Sequence, residues 1–336
     1  MKTAIFGFSG SGKSSLFAAL AGPAAVHTDR AMIKVPEPRL APLVELFKAK
    51  KVTYTEIEFA DIRGGGSPGK GLGEKVLNEI RPYDCLIAVL DGFSGMAPPV
   101  AQRDEIEADM IIADLAVVEK RLERIAQDKK KARDLFSPQE EQMLEQAKAV
   151  LESNTPLRQN AAIASAPELK GFRFLSSKPV LYAFNGEEDS FMDQKTPQGG
   201  PGEVHMLVSA RLEQELAEIE DPDERKSLLE DLGIAESALD RVIARTYDLL
   251  GLITFLTAGE KEVRAWPLKR GETAPEAAGV IHSDLQKGFI RAEVLAYEDF
   301  LSCGDFKTAK ERGVLRLEGK DYVVQDGDII TFRFNV

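Results

Sequence analysis

The chain has 336 residues, which is long for one domain and comfortable for two or three. Hydrophobic content of 43% and charged content of 29% are ordinary for a globular protein, and no stretch approaches the roughly 20 uninterrupted apolar residues of a membrane span. A formal net charge of −12 argues against nonspecific coating of nucleic acid and confines any RNA contact to one local basic face.

Thr3-Ala4-Ile5-Phe6 reads as a short buried strand. It runs straight into a glycine-rich motif with no cleavage-type segment, so no signal peptide is expected. Residues 14–20 continue as a helix, with Leu16, Phe17 and Leu20 on one face. Glu56-Ile57-Glu58-Phe59-Ala60 alternates like a strand and ends at Asp61. Cys85-Leu86-Ile87-Ala88-Val89-Leu90 is a continuous apolar run, the mark of a central parallel strand buried on both faces. Cys85 and the distant Cys303 fit small core residues in a reducing compartment, and His27, His205 and His282 are too scattered for a metal site. A cytoplasmic location is expected.

From about Asp104 the period changes. Ile111, Leu115, Val118, Leu122 and Ile125 form a heptad seam that continues to about Phe136. Ser137-Pro138-Gln139-Glu140 then supplies an N-cap, a proline at the first helical position and a capping-box glutamate. A second helix with Met143 or Leu144, Ala147, and Val150 or Leu151 on one side completes an antiparallel hairpin. The run Lys129-Lys130-Lys131-Ala132-Arg133 near its tip is either a solvated helix end or a contact to RNA phosphate. Strand character returns in Lys178-Pro179-Val180-Leu181-Tyr182-Ala183-Phe184, ending at Asn185, and in residues 204–208, ending at Ser209-Ala210. After about Gly251 come short alternating strands over 253–256, 263–267, 289–294, 322–324 and 329–334, with Asp326-Gly327 marking a turn.

Gly7-Phe8-Ser9-Gly10-Ser11-Gly12-Lys13-Ser14 matches GxxxxGK(S/T) between a predicted strand and a predicted helix, the context this motif requires. Its glycines let backbone N–H groups point inward at phosphate oxygens, and the helix N-terminus adds partial positive charge. Lys13 is the candidate to neutralise the β- and γ-phosphates of a purine nucleoside triphosphate. Ser14 is the candidate Mg²⁺ ligand, and Ser15 follows on the same turn. Asp61-Ile62-Arg63-Gly64, about fifty residues later at a strand end, adds a carboxylate for Mg²⁺ and a Gly64 amide to sense the γ-phosphate. The glycine-rich stretch 64–71 is either a nucleotide-responsive switch, the reading taken here, or a passive linker. Arg63 is either an internal cation near the γ-phosphate or a surface arginine paired with an acid. GTP-specific proteins with this kind of phosphate loop carry NKxD at the end of the fifth strand. Here the stretch is Asn185-Gly186-Glu187-Glu188, which lacks the lysine, so guanine selectivity should suffer. Ser209 and Ala210 fit the last base-contacting loop.

At these residues the chain resembles the YchF-type, Obg-like ATPases of the TRAFAC class of P-loop NTPases. The resemblance rests on Val35-Pro36-Glu37-Pro38-Arg39-Leu40, on Asp61-Ile62-Arg63-Gly64 with Gly71-Leu72-Gly73, and on Lys178-Pro179-Val180-Leu181-Tyr182. Most specific is the run from Phe255-Leu256-Thr257-Ala258-Gly259-Glu260 through Lys261-Glu262-Val263-Arg264-Ala265-Trp266. It implies an α/β G domain with a mostly parallel sheet, an inserted antiparallel coiled coil and a C-terminal β-grasp-like TGS domain. It further implies ATP preference through an NxxE motif matched by Asn185 and Glu188, and association with the ribosome or ribosomal RNA. Neither membrane nor DNA contact is expected.

The expected boundaries are 1–103 and 171–250 for the G domain, 104–170 for the coiled coil and 251–336 for the TGS domain. The chain departs from the family at Phe8-Ser9-Gly10-Ser11, where the usual loop reads like GLPNVGKS. It also has Gly65 where the family has a hydrophobic residue, and no histidine between Asp91 and Asp104. For a switch threonine the choice lies between Thr28 and, without a gap, Ala25. Every obvious group for orienting an attacking water is thereby removed, and slow Mg²⁺-dependent ATP hydrolysis is the expectation. The rival readings are a binding protein with vestigial hydrolysis and a GTPase of the same architecture. In the C-terminal module, Lys261, Arg264, Lys269 and Arg270 around Trp266 are a candidate RNA face, with Trp266 as a core residue the alternative.

Overall fold

The computed structural model describes residues 1–22, 28–131, 136–187, 199–219, 221–231, 234 and 237–335. Their contacts divide into two compact units, Met1–Ile33 with Glu58–Leu249, and Lys34–Ile57 with Leu250–Val336. The described strands are β1 (Lys2–Phe6), β2 (Arg30–Lys34), β3 (Val52–Thr53), β4 (Glu56–Asp61), β5 (Cys85–Asp91), β6 (Val180–Asn185), β7 (Glu203–Val208), β8 (Leu252–Ala258), β9 (Val263–Lys269), β10 (Phe289–Leu295), β11 (Arg316–Glu318) and β12 (Ile329–Phe334).

The first unit is an α/β domain whose sheet runs in the order β2-β4-β1-β5-β6-β7. The pairs β1–β4, β1–β5, β5–β6 and β6–β7 are all parallel. Every residue of β5 is buried, as its unbroken apolar run requires of a strand covered on both faces. Register aligns the carboxyl ends: Ile5 lies opposite Asp61, Phe6 opposite Ala88, Asp91 opposite Asn185, and Asn185 opposite Val208. The loops after β1, β4, β5, β6 and β7 therefore open on one edge of the sheet, where ligands of parallel α/β sheets bind.

The heptad residues form the hairpin seam. Ile111, Val118 and Ile125 from the helix Pro99–Lys130 pack on Leu144, Ala147 and Leu151 from the helix Pro138–Glu152. Ser137 caps the second helix by accepting from the Glu140 amide at 3.0 Å. The Glu140 carboxylate does not close a capping box. It accepts from Arg121 Nε at 2.7 Å and Nη2 at 3.0 Å across the hairpin, where a full opposite charge outcompetes a neutral backbone N–H. Lys129 pairs with Glu141 at 2.6 Å, while Ala132 and Arg133 of the basic run lie outside the described residues. At the hairpin's base, fully buried Asp114 accepts from Leu175 N at 2.9 Å, Ser176 N at 2.7 Å and Ser176 Oγ at 2.8 Å. Arg81 adds an ion pair at 3.1 Å.

The second unit contains a sheet ordered β11-β10-β12-β8-β9-β3. Segment Lys34–Ile57, expected within the first stretch of the G domain, belongs to this unit. Its β3 pairs with β9 at Val263 and Arg264, and the fully buried Leu40 and Leu43 share a core with Leu256, Leu295 and Phe300. The expected strand over 322–324 reduces to a single bridge from Val323 to Thr273. Tyr322 instead turns its hydroxyl to Asp328 at 2.7 Å, and the Val324 amide donates to Glu272 O at 3.1 Å. Trp266 is half buried, donates to Thr257 Oγ1 at 3.0 Å and carries the Arg264 guanidinium 3.8 Å above its ring. The face thus has both a core contact and a cation stack.

Arg39 ties the early segment to the rest of this unit. Its guanidinium donates to both oxygens of buried Glu37 at 2.6 Å and to Asp326 at 2.7 Å, and the bond to Glu37 holds its pKa above the usual value. Replacing Arg39 by alanine strands the Glu37 carboxylate. The expected loss is about 2 kcal/mol, below the full figure for a buried pair because Arg39 is partly exposed. Urea unfolding of the full chain measures it, and the Arg39→Lys variant should recover only part, since one ammonium cannot make the two-pronged contact.

Candidate functional site

The loop after β1 turns inward through three glycines at positive φ, Gly7 at 153°, Gly10 at 84° and Gly12 at 88°. Gly12 is also sterically required, because a Cβ there would meet Asn185 Nδ2 at 2.1 Å. The helix Lys13–Ala21 starts directly behind it, so its unpaired N–H groups face the loop. Ser11 and Lys13 are buried, whereas Ser9, Gly10 and Ser14 are exposed and Gly12 and Ser15 are half-buried. Phe8, read as a loop contact, is 1% exposed and packs in the sheet core, so only its backbone can meet a ligand. The Lys13 ammonium donates to Phe8 O at 3.3 Å, spanning the loop interior. Burial pushes its pKa down and the Asp61 carboxylate partly restores it.

Asp61, at the end of β4, accepts from Ser14 Oγ at 2.7 Å through Oδ2. Its Oδ1 is buried and lacks a hydrogen-bond partner among the described residues. A hydroxyl and a carboxylate converging beside a phosphate-type loop make a hard oxygen donor set, which fits Mg²⁺. Arg63 extends outward, 70% exposed, in an ion pair with Asp29, so it is the surface arginine of the two readings. Thr28 turns back to donate to Arg30 O at 2.9 Å, and Ala25 lies outside the described residues.

The glycine stretch after Asp61 folds over the phosphate loop. Ser9 donates through Oγ to Gly65 O at 2.6 Å and through its amide to Gly66 O at 3.0 Å. Gly65 approaches so closely that a Cβ would lie 2.3 Å from Gly7 O, and one on Gly66 would lie 1.9 Å from Gly71 O. The Gly64 amide, singled out from the sequence, opens this segment at φ 97°.

Beyond the loop lies a cavity of about 540 Å³ lined by Gly12, Ser15, Phe93, Asn185, Gly186, Glu187, Ser209, Ala210, Arg211, Gln214 and Glu215. Asn185 is buried and braces two loops, donating to Ser11 O at 2.9 Å and accepting from Ala210 N at 3.0 Å. Ser209 caps the helix Ala210–Glu218, accepting from Leu212 N at 3.2 Å. Glu188 lies outside the described residues, so its place in the cavity is not described. Sequence reasoning missed Phe93, Arg211, Gln214 and Glu215. Phe93 is held by a turn in which Asp91 Oδ1 accepts from Phe93 N at 3.0 Å and Ser94 N at 2.9 Å. Gln102 brackets Asp91 at both N and O, at 3.0 and 2.8 Å. The turn composition Asp91-Gly92-Phe93-Ser94-Gly95 was the available signal.

Residues 252–335 match the family described as YchF-GTPase_C, a protein of unknown function. Along its length the chain is 42% identical to the Ribosome-binding ATPase YchF of Bacillus subtilis (strain 168), covering 99% of this chain and 98% of that one. It is 39% identical to the Ribosome-binding ATPase YchF of Escherichia coli O157:H7, with 100% and 99% covered. It is 32% identical to Obg-like ATPase 1 of Oryza sativa subsp. japonica, with 100% and 92% covered. The solved structure of the Schizosaccharomyces pombe YchF GTPase superposes with a TM-score of 0.86 at 28% identity, covering 99% of this chain and 97% of that one. A P-loop closed by glycines, a serine–aspartate pair at the sheet's carboxyl edge and near-complete alignment with these proteins agree: the chain belongs to the YchF family of P-loop NTPases.

Proposed function

We propose that the protein binds ATP with Mg²⁺, hydrolyses it slowly and acts as a nucleotide-dependent switch on the ribosome in the cytoplasm. The observation that carries this reading is the alignment of Gly7–Ser14, Asp61 and the 540 Å³ cavity along one edge of the parallel sheet. Backbone amides of Gly10, Gly12 and Lys13 and the Lys13 ammonium would hold the triphosphate, those of Ser9 and Ser11 being engaged by Gly66 O and Phe8 O. Ser14 and Asp61 would hold Mg²⁺, whose charge offsets that of the β- and γ-oxygens. Asn185 would orient the base-contacting loop and Glu188 would read the adenine amino group, with Ser209 and Ala210 closing the cavity. The Gly64 amide would report the γ-phosphate.

The side chain that touches Gly65 is Ser9, whose hydroxyl is already committed to the Gly65 carbonyl at 2.6 Å and is no base, so positioning of water is left to backbone or to a partner, and turnover alone should be slow. That same lack of a base on Gly65 favours, as a second reading, a switch whose nucleotide occupancy matters more than hydrolysis. The relatives' names themselves divide between ATPase and GTPase. Calorimetric titration of the full chain with ATP and with GTP in Mg²⁺ tests the base assignment. Tight GTP binding with ATP silent overturns it. Single-turnover phosphate release with and without ribosomes then separates enzyme from pure switch. Phe93→Ala should weaken ATP binding about tenfold, because stacking of a base on an aromatic ring contributes roughly 1–3 kcal/mol. Triphosphate lacking a base should bind both forms equally.

A further inference from the structure

The loops before β5 and β6 open on the sheet edge opposite the phosphate loop. There residues 82–84 and 177–179 meet the hairpin's base around a cavity of about 450 Å³. Buried Ile163, Leu169 and Phe174 give it an apolar floor. Exposed Lys170 and Arg173 stand on its rim, and half-buried Lys178 lines its wall. The run Lys178-Pro179-Val180-Leu181-Tyr182 carries part of the family resemblance. Yet Lys178 precedes β6, at the far end of that strand from Asn185, and takes no part in the nucleotide site.

The charges around this lysine do not balance. Lys178 Nζ donates to Tyr83 O at 2.5 Å, a neutral carbonyl, and among the described residues neither it nor Lys170 nor Arg173 has an ion pair. Two acids act on it. Asp84, on the cavity wall, is exposed to solvent and accepts from the Lys2 amide at 2.9 Å. Asp114 already holds Arg81 at 3.1 Å and three donors of Leu175 and Ser176. Three cations and one exposed carboxylate therefore line the cavity. A lysine taken partly out of water beside other cations is the usual setting of an amine nucleophile. Burial, with Arg173 and Arg81, lowers the Lys178 pKa to about 8 against the opposing pull of Asp84 and Asp114. The neutral amine still donates to Tyr83 O and keeps its lone pair free.

We propose that Lys178 is an acylation site, modified by a small acyl phosphate that enters this cavity with its phosphate at Lys170 and Arg173 and its acyl group on the apolar floor. Lys178 Nζ forms a bond to the carbonyl carbon, and the bond from that carbon to the phosphate oxygen breaks. Inorganic phosphate leaves with the electron pair and takes the surplus amine proton, and nothing is oxidised or reduced. The two rim cations offset the charge of the phosphate, which limits how far its arrival raises the Lys178 pKa. The product is a neutral amide, so an unmatched cation disappears from a half-buried position. A nucleic-acid backbone has no apolar part for the floor and no acyl group to transfer.

The test treats the full chain with acetyl phosphate and follows each lysine by peptide mass spectrometry. At about pH 7.5 Lys178 should acetylate about tenfold faster than the exposed Lys70 and Lys120. An amine of pKa about 8 is roughly two hundredfold more neutral there than an ordinary lysine, and its weaker basicity takes back part of that gain. The Lys178 rate should level off above about pH 8–9, while the exposed lysines keep accelerating to about pH 10. Acetylation of Lys178 no faster than of Lys120, or a Lys178 rate still climbing past about pH 9.5, overturns the site. Both readings come from the parent protein and need no variant. Lys170→Gln with Arg173→Gln, both exposed positions, should then slow transfer from acetyl phosphate to Lys178 about fivefold more than transfer from the uncharged donor N-acetoxysuccinimide. An unchanged melting curve confirms the fold of this variant. Equal slowing with the two donors, or none with either, overturns the acyl phosphate as the substrate of this cavity.

Discussion

Lys13→Ala is expected to lower ATP affinity by about a hundredfold or more, measured by calorimetry in the presence of Mg²⁺. The loop offers uncharged amides and one buried ammonium, and each charge-assisted hydrogen bond to a phosphate oxygen contributes roughly 1.5–3 kcal/mol. The fold should not suffer. Burial holds the Lys13 pKa below its ordinary value, so the folded state disfavours the charged form relative to the unfolded chain. A lysine with a lowered folded pKa costs stability at every pH below that value, and removing it relieves the cost. The variant should therefore melt no lower than the parent while losing its ligand. Affinity for adenosine, which lacks phosphates, should be unchanged. Unaltered ATP affinity would remove the basis of the phosphate-loop assignment.

Asp114→Ala is expected to be the most damaging single change to stability, about 3–5 kcal/mol. Its carboxylate is fully buried and receives two backbone amides, a serine hydroxyl and the Arg81 guanidinium. Truncation takes this acceptor from all four donors, three of them on the segment that leads into β6. For a unit of this size the melting temperature should fall by about 10 °C. Asp114→Asn keeps one acceptor oxygen but turns an amide N–H₂ toward the donors, so it should fall between parent and alanine. Calorimetric melting of the three proteins decides the matter. A loss under about 1 kcal/mol for the alanine form would mean that water replaces the carboxylate.

These two residues differ in how visible they are in the primary structure. Lys13 sits in an eight-residue pattern whose every position has a backbone or charge requirement, and the pattern fixes its surroundings. Asp114 sits inside a heptad helix, between seam residues, where an acid ordinarily faces water. Nothing local announces that Leu175 and Ser176, sixty residues on, will surround it. The same contrast separates Ser209, whose N-cap role follows from its neighbours, from Phe93, whose place beside the cavity depends on Asp91 and Gln102 together.

Sequence alone determined the phosphate loop, the Asp61 strand end, the buried β5 strand and the heptad hairpin. Each is encoded within a window of a few turns or one strand, where steric and periodic constraints act on neighbouring residues. Tertiary structure decided the rest. It moved Lys34–Ile57 into the C-terminal unit through β3, Leu40 and Arg39, and it diverted Glu140 from its capping box to Arg121. It also reduced the expected strand at 322–324 to one bridge and laid Gly65 and Gly66 against Ser9. In every such case the deciding partner is distant in the chain, and a partner's charge or shape outweighs local preference because burial makes an unmatched polar group or an unfilled contact more costly than a lost local bond.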